Sequence, residues 1–249
     1  MGTSIYGRNE DIPLRDQAKL FKTNFWGVVH GSLVALNLMR SKGGAIINLG
    51  SVLSDRAVPL QGMYSASKHA VNAFTDSLRM EIEKEDTPVS LTLIKPAAVD
   101  TMLTSHARSY MESEPELPAP VYAPDLVAGA ILYAAVHPQR DVHVGAVSAL
   151  MGAGAGLMSP LLDRVMRILM FWAQQKKQRS APGRTDALYG PNGMELRQRQ
   201  GHRRSTVHEH SLQTFLATGG KPLVLSVLAG AALLAASKIN GNAAVKRQR

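Results

Sequence analysis

Apolar positions along the chain follow two rhythms. Over residues 14–39, Phe21, Phe25, Val28, Val29, Leu33 and Leu36, with Met39 at the end, recur at spacings of three and four, which predicts a long helix. Ser41-Lys42-Gly43-Gly44 stops it, because glycine ends helices readily. Residues 45–49, Ala-Ile-Ile-Asn-Leu, are a short run rich in β-branched side chains and predict a strand buried on both faces. A loop covers 59–62. Residues 63–85 return to the helical rhythm, with Val71, Phe74, Leu78 and Ile82 on one face. Residues 89–94 read as a second buried strand, closed by Lys95-Pro96. A helix over 124–135 and a short strand over 141–144 follow. This alternation predicts an α/β fold with a parallel sheet, although three strands are few for a doubly wound one.

Beyond Gly145 the rhythm weakens. Residues 151–156 are rich in Gly and Ala and are expected to be mobile. Residues 157–174 are amphipathic and Met-rich, with Leu161, Leu162, Val165, Leu169 and Met170 apolar. Core packing is the expected role of that face, ahead of a substrate lid or a dimer surface. Residues 175–211 are basic, carry Pro182 and Pro191, and read as loop. Residues 223–236 are apolar and uncharged. Three regions result: an α/β body over 1–150, an amphipathic helix and basic loop over 151–211, and an apolar tail over 212–249.

Composition sharpens that division. The 249 residues include no Cys, which excludes disulfides, thiolate metal sites and a cysteine nucleophile. The net charge of +9 is unevenly spread. Residues 1–163 hold 13 Lys/Arg against 16 Asp/Glu, whereas residues 164–249 hold 15 against 3. The body is mildly acidic and the basic excess lies in the last third, which suits an anionic partner or a solvated extension. Few aromatics interleave the basic residues, so nucleic acid is not expected. The apolar run of 14 residues would span about 21 Å as a helix, short of the ~30 Å hydrocarbon core. Membrane-surface association through 212–249 and a packed or loosely attached tail are the two readings. The first residues lack the apolar core of a signal peptide, so the expected location is cytoplasmic.

Candidate chemistry concentrates in the body. Tyr64 and Lys68 stand at i and i+4 and share a helix face. An ammonium beside a phenol favours the phenolate, so Lys68 is expected to lower the Tyr64 pKa. A phenol tuned in this way exchanges a proton with an alcohol or carbonyl oxygen. Ser51 stands 13 residues before Tyr64, at the carboxyl end of the first strand, where open α/β sheets bind ligands. Asn24 lies in an apolar helical stretch, which invites a buried hydrogen-bonding role. His202, His208 and His210 lack a scaffold, and no metal site is expected. Leu49-Gly50-Ser51-Val52-Leu53 is not the Gly-x-Ser-x-Gly elbow of a hydrolase, because Leu49 and Leu53 stand at the two glycine positions.

Taken together, Thr23-Asn24-Phe25-Trp26-Gly27, Ile46-Ile47-Asn48-Leu49-Gly50-Ser51, Tyr64-Ser65-Ala66-Ser67-Lys68 and Pro96-Ala97-Ala98-Val99-Asp100-Thr101 resemble the short-chain dehydrogenase/reductase family over about residues 1–150. The resemblance implies the carboxyl-terminal half of a Rossmann-like sheet with flanking helices, followed by a helical and irregular extension. It implies that Tyr64 is the general acid/base and that Ser51 hydrogen-bonds the substrate oxygen. It implies that Lys68 lowers the Tyr64 pKa and binds the nicotinamide ribose, and that Asn24 holds a water behind Lys68. Pro96, Val99 and Thr101 match the segment lining the nicotinamide, although Ala97 stands where the family usually has Gly. The implied reaction interconverts a secondary alcohol and a ketone with NAD or NADP, in a homo-oligomer paired through the two long helices. The family's Thr-Gly-x-x-x-Gly-x-Gly turn and its Asn-Asn-Ala-Gly run are absent. Gly43-Gly44 and Gly152, Gly154 and Gly156 do not replace them. A truncated reading frame with impaired cofactor binding is therefore expected, and the alternative is a non-catalytic interaction or membrane-associated protein built on a reductase remnant.

Overall fold

A computed structural model describes residues 2–154, 159–181, 183–191, 197–199 and 207–220. Strand β1, Ile5–Tyr6, leads into helix α1, Leu14–Phe21. The expected long helix then widens into a π turn, Lys22–Trp26, before continuing as α2, Gly27–Met39. The helical rhythm is thus real, but one turn carries an extra residue, a feature common at functional sites. Leu20, Asn24, Val29, Ser32 and Leu36 form its buried face.

Strand β2, Gly44–Leu49, is followed by a 3-10 turn at Val52–Ser54 and helix α3, Gly62–Lys84. Strand β3, Val89–Pro96, runs two residues further than its apolar run predicts, because Pro96 still pairs with Val144. Three short elements come next: β4, Ala98–Val99; α4, Leu103–His106; and β5, Arg108–Ser109. Strands β6, Ser113–Pro115, and β7, Val121–Tyr122, precede helix α5, Pro124–Val136, and strand β8, Asp141–Val144.

The main sheet is parallel with order β2-β3-β8. Helices α2 and α3 cover one face through Leu36, Leu78 and Ile82, which meet Ile46, Val89 and Leu91. Helix α5 covers the other face, where Ala130 and Ala134 meet Ile94, Val142 and Val144. The central strand β3 is buried nearly throughout. β2 is not buried on both faces as its composition predicts. It is an edge strand, its Ala45 and Ile47 are only half-buried, and Leu49 is exposed. An apolar run fits either a central or an edge strand, and only the neighbours decide. Its polar Asn48 is buried, accepting from Ser32 Oγ at 3.0 Å and donating to Thr75 Oγ1 at 3.0 Å, which ties β2 to both helices.

The region after β8 is more ordered than its composition suggests. Residues expected to be mobile begin inside helix α6, Ala146–Gly154. Ser148 and Met151 are buried there, and Ser148 Oγ donates to the Lys95 carbonyl at 2.6 Å. Gly152 permits the packing, because a Cβ at that position would lie 2.5 Å from the His143 ring. Helix α7, Ser159–Ala173, turns Met166 and Met170 inward, whereas Val165 and Leu169 face solvent. The expected inward face is therefore shifted. The basic stretch is not all loop either. Strand β9, Gln175–Arg179, pairs antiparallel with β6, and β10, Val207–His208, pairs with β7. Helix α8, Leu212–Phe215, is anchored by Thr214 Oγ1, which accepts from the Gly145 amide at 2.9 Å. The apolar run 223–236 lies outside the described residues. No described helix is long and apolar enough to cross a membrane.

Candidate active site

The π turn aims Asn24 inward. Its Oδ1 accepts from the Thr3 amide at 2.9 Å, and its Nδ2 donates to the Thr3 carbonyl at 2.9 Å and to Ser67 Oγ at 3.3 Å. The segment before β1 is thereby stitched to α3. Ser51, two residues beyond the end of β2, has extended backbone and caps the 3-10 turn, its Oγ accepting from the Leu53 amide at 3.1 Å. On the first turn of α3 the Tyr64 phenol hydrogen-bonds the Ser51 side chain. One helical turn further on, Lys68 Nζ donates to the Leu49 carbonyl at 2.8 Å and stands 5.8 Å from the Tyr64 ring centroid. A Cβ at Gly2 would lie 3.3 Å from Asn24 Oδ1 and 3.9 Å from Lys68 Nζ, so the backbone there packs closely against Asn24 in a way a larger residue would crowd. The four tetrad positions thus converge, all of them buried.

Pro96, Val99 and Thr101 lie on the segment leaving β3. It is held by the Ala97 amide on the Val144 carbonyl and by the Asp100 amide on the Tyr122 carbonyl, each at 2.9 Å. Thr101 closes a tight turn on the Val99 carbonyl at 2.7 Å. Among the described residues no hydrogen bond joins these three to the tetrad.

The electrostatics overturn one expectation. Burial raises the Tyr64 pKa, and the Ser51 hydrogen bond only partly offsets this. Lys68, 6% exposed, is itself pulled down to about 8 by burial. Desolvation dominates both groups, and the ammonium's short hydrogen bond goes to a carbonyl rather than to the phenol. The protein alone holds Tyr64 as a neutral phenol, which is a proton donor. Tyr6, fully buried on β1, is also pushed up, by burial and by the neighbouring Tyr64.

Several supporting residues escape a reading of the sequence. Leu188, Met166 and Met170 pack in the same cluster as Tyr64. Gln61, three residues before Tyr64, donates to Gln174 Oε1 at 2.6 Å, and Gln174 Nε2 donates to the Pro59 carbonyl at 3.0 Å. Arg184 donates to the carbonyls of Thr104, Ser105 and Ala107, clasping the end of α4. Asp16 is fully buried. Burial pushes its carboxyl up, but hydrogen bonds from Tyr110, Tyr189 and Arg108 prevail and hold it at about 2. Only Gln174 leaves a sequence signal, as it continues the row Met166, Met170 at intervals of four. Arg184 and Tyr189 sit in sequence that reads as loop. No described group of three or more His, Asp or Glu side chains suits a metal ion.

A parallel sheet flanked by helices, with a Ser–Tyr–Lys–Asn cluster beyond its strand ends, is a Rossmann-like α/β architecture. The family model for short chain dehydrogenase matches residues 2–112, and over this segment the chain belongs to that family. It is 39% identical over 189 residues to the uncharacterised oxidoreductase YxnA of Bacillus subtilis, covering 75% of this chain and 53% of that protein. It is 27% identical over 173 residues to the putative oxidoreductase SadH of Mycobacterium tuberculosis, covering 66% and 63%. The chain thus spans between half and two thirds of the length of these relatives. Among solved structures, a short chain dehydrogenase from Burkholderia cenocepacia in complex with NADP superposes with a TM-score of 0.57 at 23% identity, covering 67% of this chain and 65% of that one. A short-chain dehydrogenase from Streptomyces avermitilis gives 0.52 at 22% identity, covering 69% and 66%. At these identities the structures speak to the fold.

Proposed function

We propose that the chain carries the proton-transfer machinery of an NAD(P)-dependent oxidoreductase that interconverts a secondary alcohol and a ketone. The observation carrying this reading is the meeting of the Ser51 and Tyr64 side chains beside a buried Lys68 that pairs with no carboxylate among the described residues. The nicotinamide-ribose end of a dinucleotide fits these residues. Lys68 Nζ has N–H groups left after its bond to Leu49 to offer a ribose hydroxyl. The pyrophosphate end finds no glycine-rich strand–turn–helix in this sequence. When bound, the cofactor supplies or removes the hydride. Ser51 orients the substrate oxygen by donating a hydrogen bond to it. In ketone reduction, Tyr64 gives its proton to that oxygen as the O–H bond forms, and in alcohol oxidation it takes the proton back. Lys68 stabilises the phenolate left behind and holds the ribose hydroxyls. Asn24 keeps the polar path behind Lys68 hydrated. Pro96, Val99 and Thr101 line the nicotinamide. The Burkholderia neighbour's complex with NADP supports a dinucleotide without choosing between NAD and NADP.

A homo-oligomer is supported by the exposed apolar side chains of Leu33, Val34 and Leu38 on α2 and Met80 on α3, and by a groove of about 830 Å3 along α1 and the π turn, lined by Leu14, Phe21, Trp26 and Met63.

The test is ketone reduction by this chain with NADH, NADPH and reduced nicotinamide mononucleotide as donors. Tyr64→Phe is expected to lower turnover by about 10²-fold or more while leaving the circular dichroism unchanged. The full dinucleotides are expected to bind little more tightly than the mononucleotide, and micromolar dinucleotide affinity would contradict that part. Equal turnover by Tyr64→Phe would refute the catalytic assignment. No turnover with any donor would favour the alternative, a non-catalytic interaction or membrane-associated protein.

A further inference from the structure

A surface helix normally turns one apolar stripe toward its core. Helix α7 has two. Met166 and Met170 face the cluster that holds Tyr64, and the row runs on into buried Gln174. A second row, Val165, Ile168, Leu169 and Trp172, has the spacing i, i+3, i+4, i+7 and faces away from the body. All four are exposed, Ile168 at 68% and Trp172 at 77%, and Phe171 beside them is exposed as well. Scattered apolar side chains on a surface are ordinary, but a contiguous stripe along one helix marks a contact.

The charge around the stripe narrows the partner. Arg164 and Arg167 on the helix, and Lys176, Lys177 and Arg179 on the adjoining strand β9, form no ion pair among the described residues. The one acidic residue of α7, Asp163, is paired with Arg56. A second copy docking through this face would set like charges against each other. The chain's own apolar run, 223–236, has no acidic residue to offer them. An apolar stripe with Trp at one end, Arg164 on its flank and further uncompensated Arg and Lys on the same helix and the adjoining strand has the chemistry of a helix lying in the interface of an anionic bilayer.

We propose that α7 docks this protein on an anionic membrane surface. Val165, Ile168, Leu169 and Trp172 enter the boundary between headgroups and acyl chains, Arg164 beside them meets lipid phosphates, and the neighbouring cations strengthen the attraction to an anionic surface. Because the opposite face of α7 packs against the cluster that holds Tyr64, docking sets the reaction site on the order of one helix diameter, ~10 Å, from the lipid. This surface is separate from the tail over 212–249 and independent of the oxidoreductase reading.

The experiment uses the full chain with Trp26→Phe, which leaves Trp172 as the only tryptophan. Vesicles of phosphatidylcholine with phosphatidylglycerol are expected to shift Trp172 emission to the blue, protect it from iodide and carry the protein into the pellet. Vesicles of phosphatidylcholine alone are expected to do none of these. Ile168→Glu with Leu169→Glu is expected to weaken binding about 10-fold or more with unchanged circular dichroism. Arg164→Gln with Arg167→Gln is expected to weaken it less and to flatten its salt dependence. Undiminished pelleting of the double Glu variant would assign binding to the tail and overturn the proposal. So would Trp172 emission that ignores anionic vesicles, or that is already shielded without them by self-association or by the chain's own tail. Soluble polyglutamate producing the same shift as vesicles would point to an acidic protein partner and overturn it too.

Discussion

Two lysines lie buried a few ångströms beneath the surface, and they are held in opposite ways. Lys95, at the end of β3, is 5% exposed and forms an ion pair with Asp55 at 2.8 Å, with Asp141 at 3.9 Å. Lys68, on α3, is equally buried but among the described residues hydrogen-bonds the Leu49 carbonyl and no carboxylate, and burial drags it down to about 8. The first lysine is part of the fold's structure. The second is held at a cost in stability, and unpaired buried charge is a common mark of a functional site. The contrast separates the two groups more sharply than burial alone.

The largest expected stability effect breaks the paired lysine. Lys95→Met leaves the Asp55 carboxylate buried without its cation, and its Oδ2 already has no hydrogen-bond partner. A loss of about 3–5 kcal/mol is expected in urea unfolding, most of it restored by pairing the change with Asp55→Leu.

Lys68→Met should do the reverse. Moving the ammonium from its ordinary 10.5 to about 8 corresponds to roughly 3 kcal/mol of burial cost, and losing the bond to Leu49 gives back about 1 kcal/mol. The variant is therefore expected to be about 2 kcal/mol more stable at pH 7 and inactive. The sign with pH follows from proton binding. Between about 8 and 10.5 the unfolded chain still holds the Lys68 proton that the folded chain has released, so this group makes wild-type stability rise with pH. The advantage of Lys68→Met should shrink over the same window, as read from unfolding midpoints at pH 7 and pH 9.5. A variant less stable than wild type at pH 7 would undo the comparison.

The smallest effect serves as its control. Arg40 and Glu85 form an ion pair with both side chains about half exposed. Arg40→Gln is expected to change stability by less than ~0.5 kcal/mol, because water screens such pairs.

The amino-acid sequence alone was enough to find α3, because Val71, Leu78 and Ile82 keep a strict helical rhythm, and to place Tyr64 and Lys68 on one of its faces. It also indicated Ser51 and Asn24 through their spacing from Tyr64. These features are local, so periodicity and short motifs carry them. It misjudged β2, whose apolar run does not say which edge lacks a neighbour, and residues 151–154, whose Gly and Ala suit close helix packing on His143 as well as they suit a loop.

What only the tertiary structure decided is the electrostatic state of the site and its cover. The sequence puts an ammonium one helical turn from a phenol, and pair chemistry predicts a lowered phenol pKa. Folding buries both groups, and desolvation reverses that sign. Likewise, Gln174 reaches Gln61 across 113 positions and Tyr189 reaches Asp16 across 173. No spacing rule encodes contacts of that range. They exist because the packed helices and strands set these side chains side by side, and a buried polar group has to find its partner there.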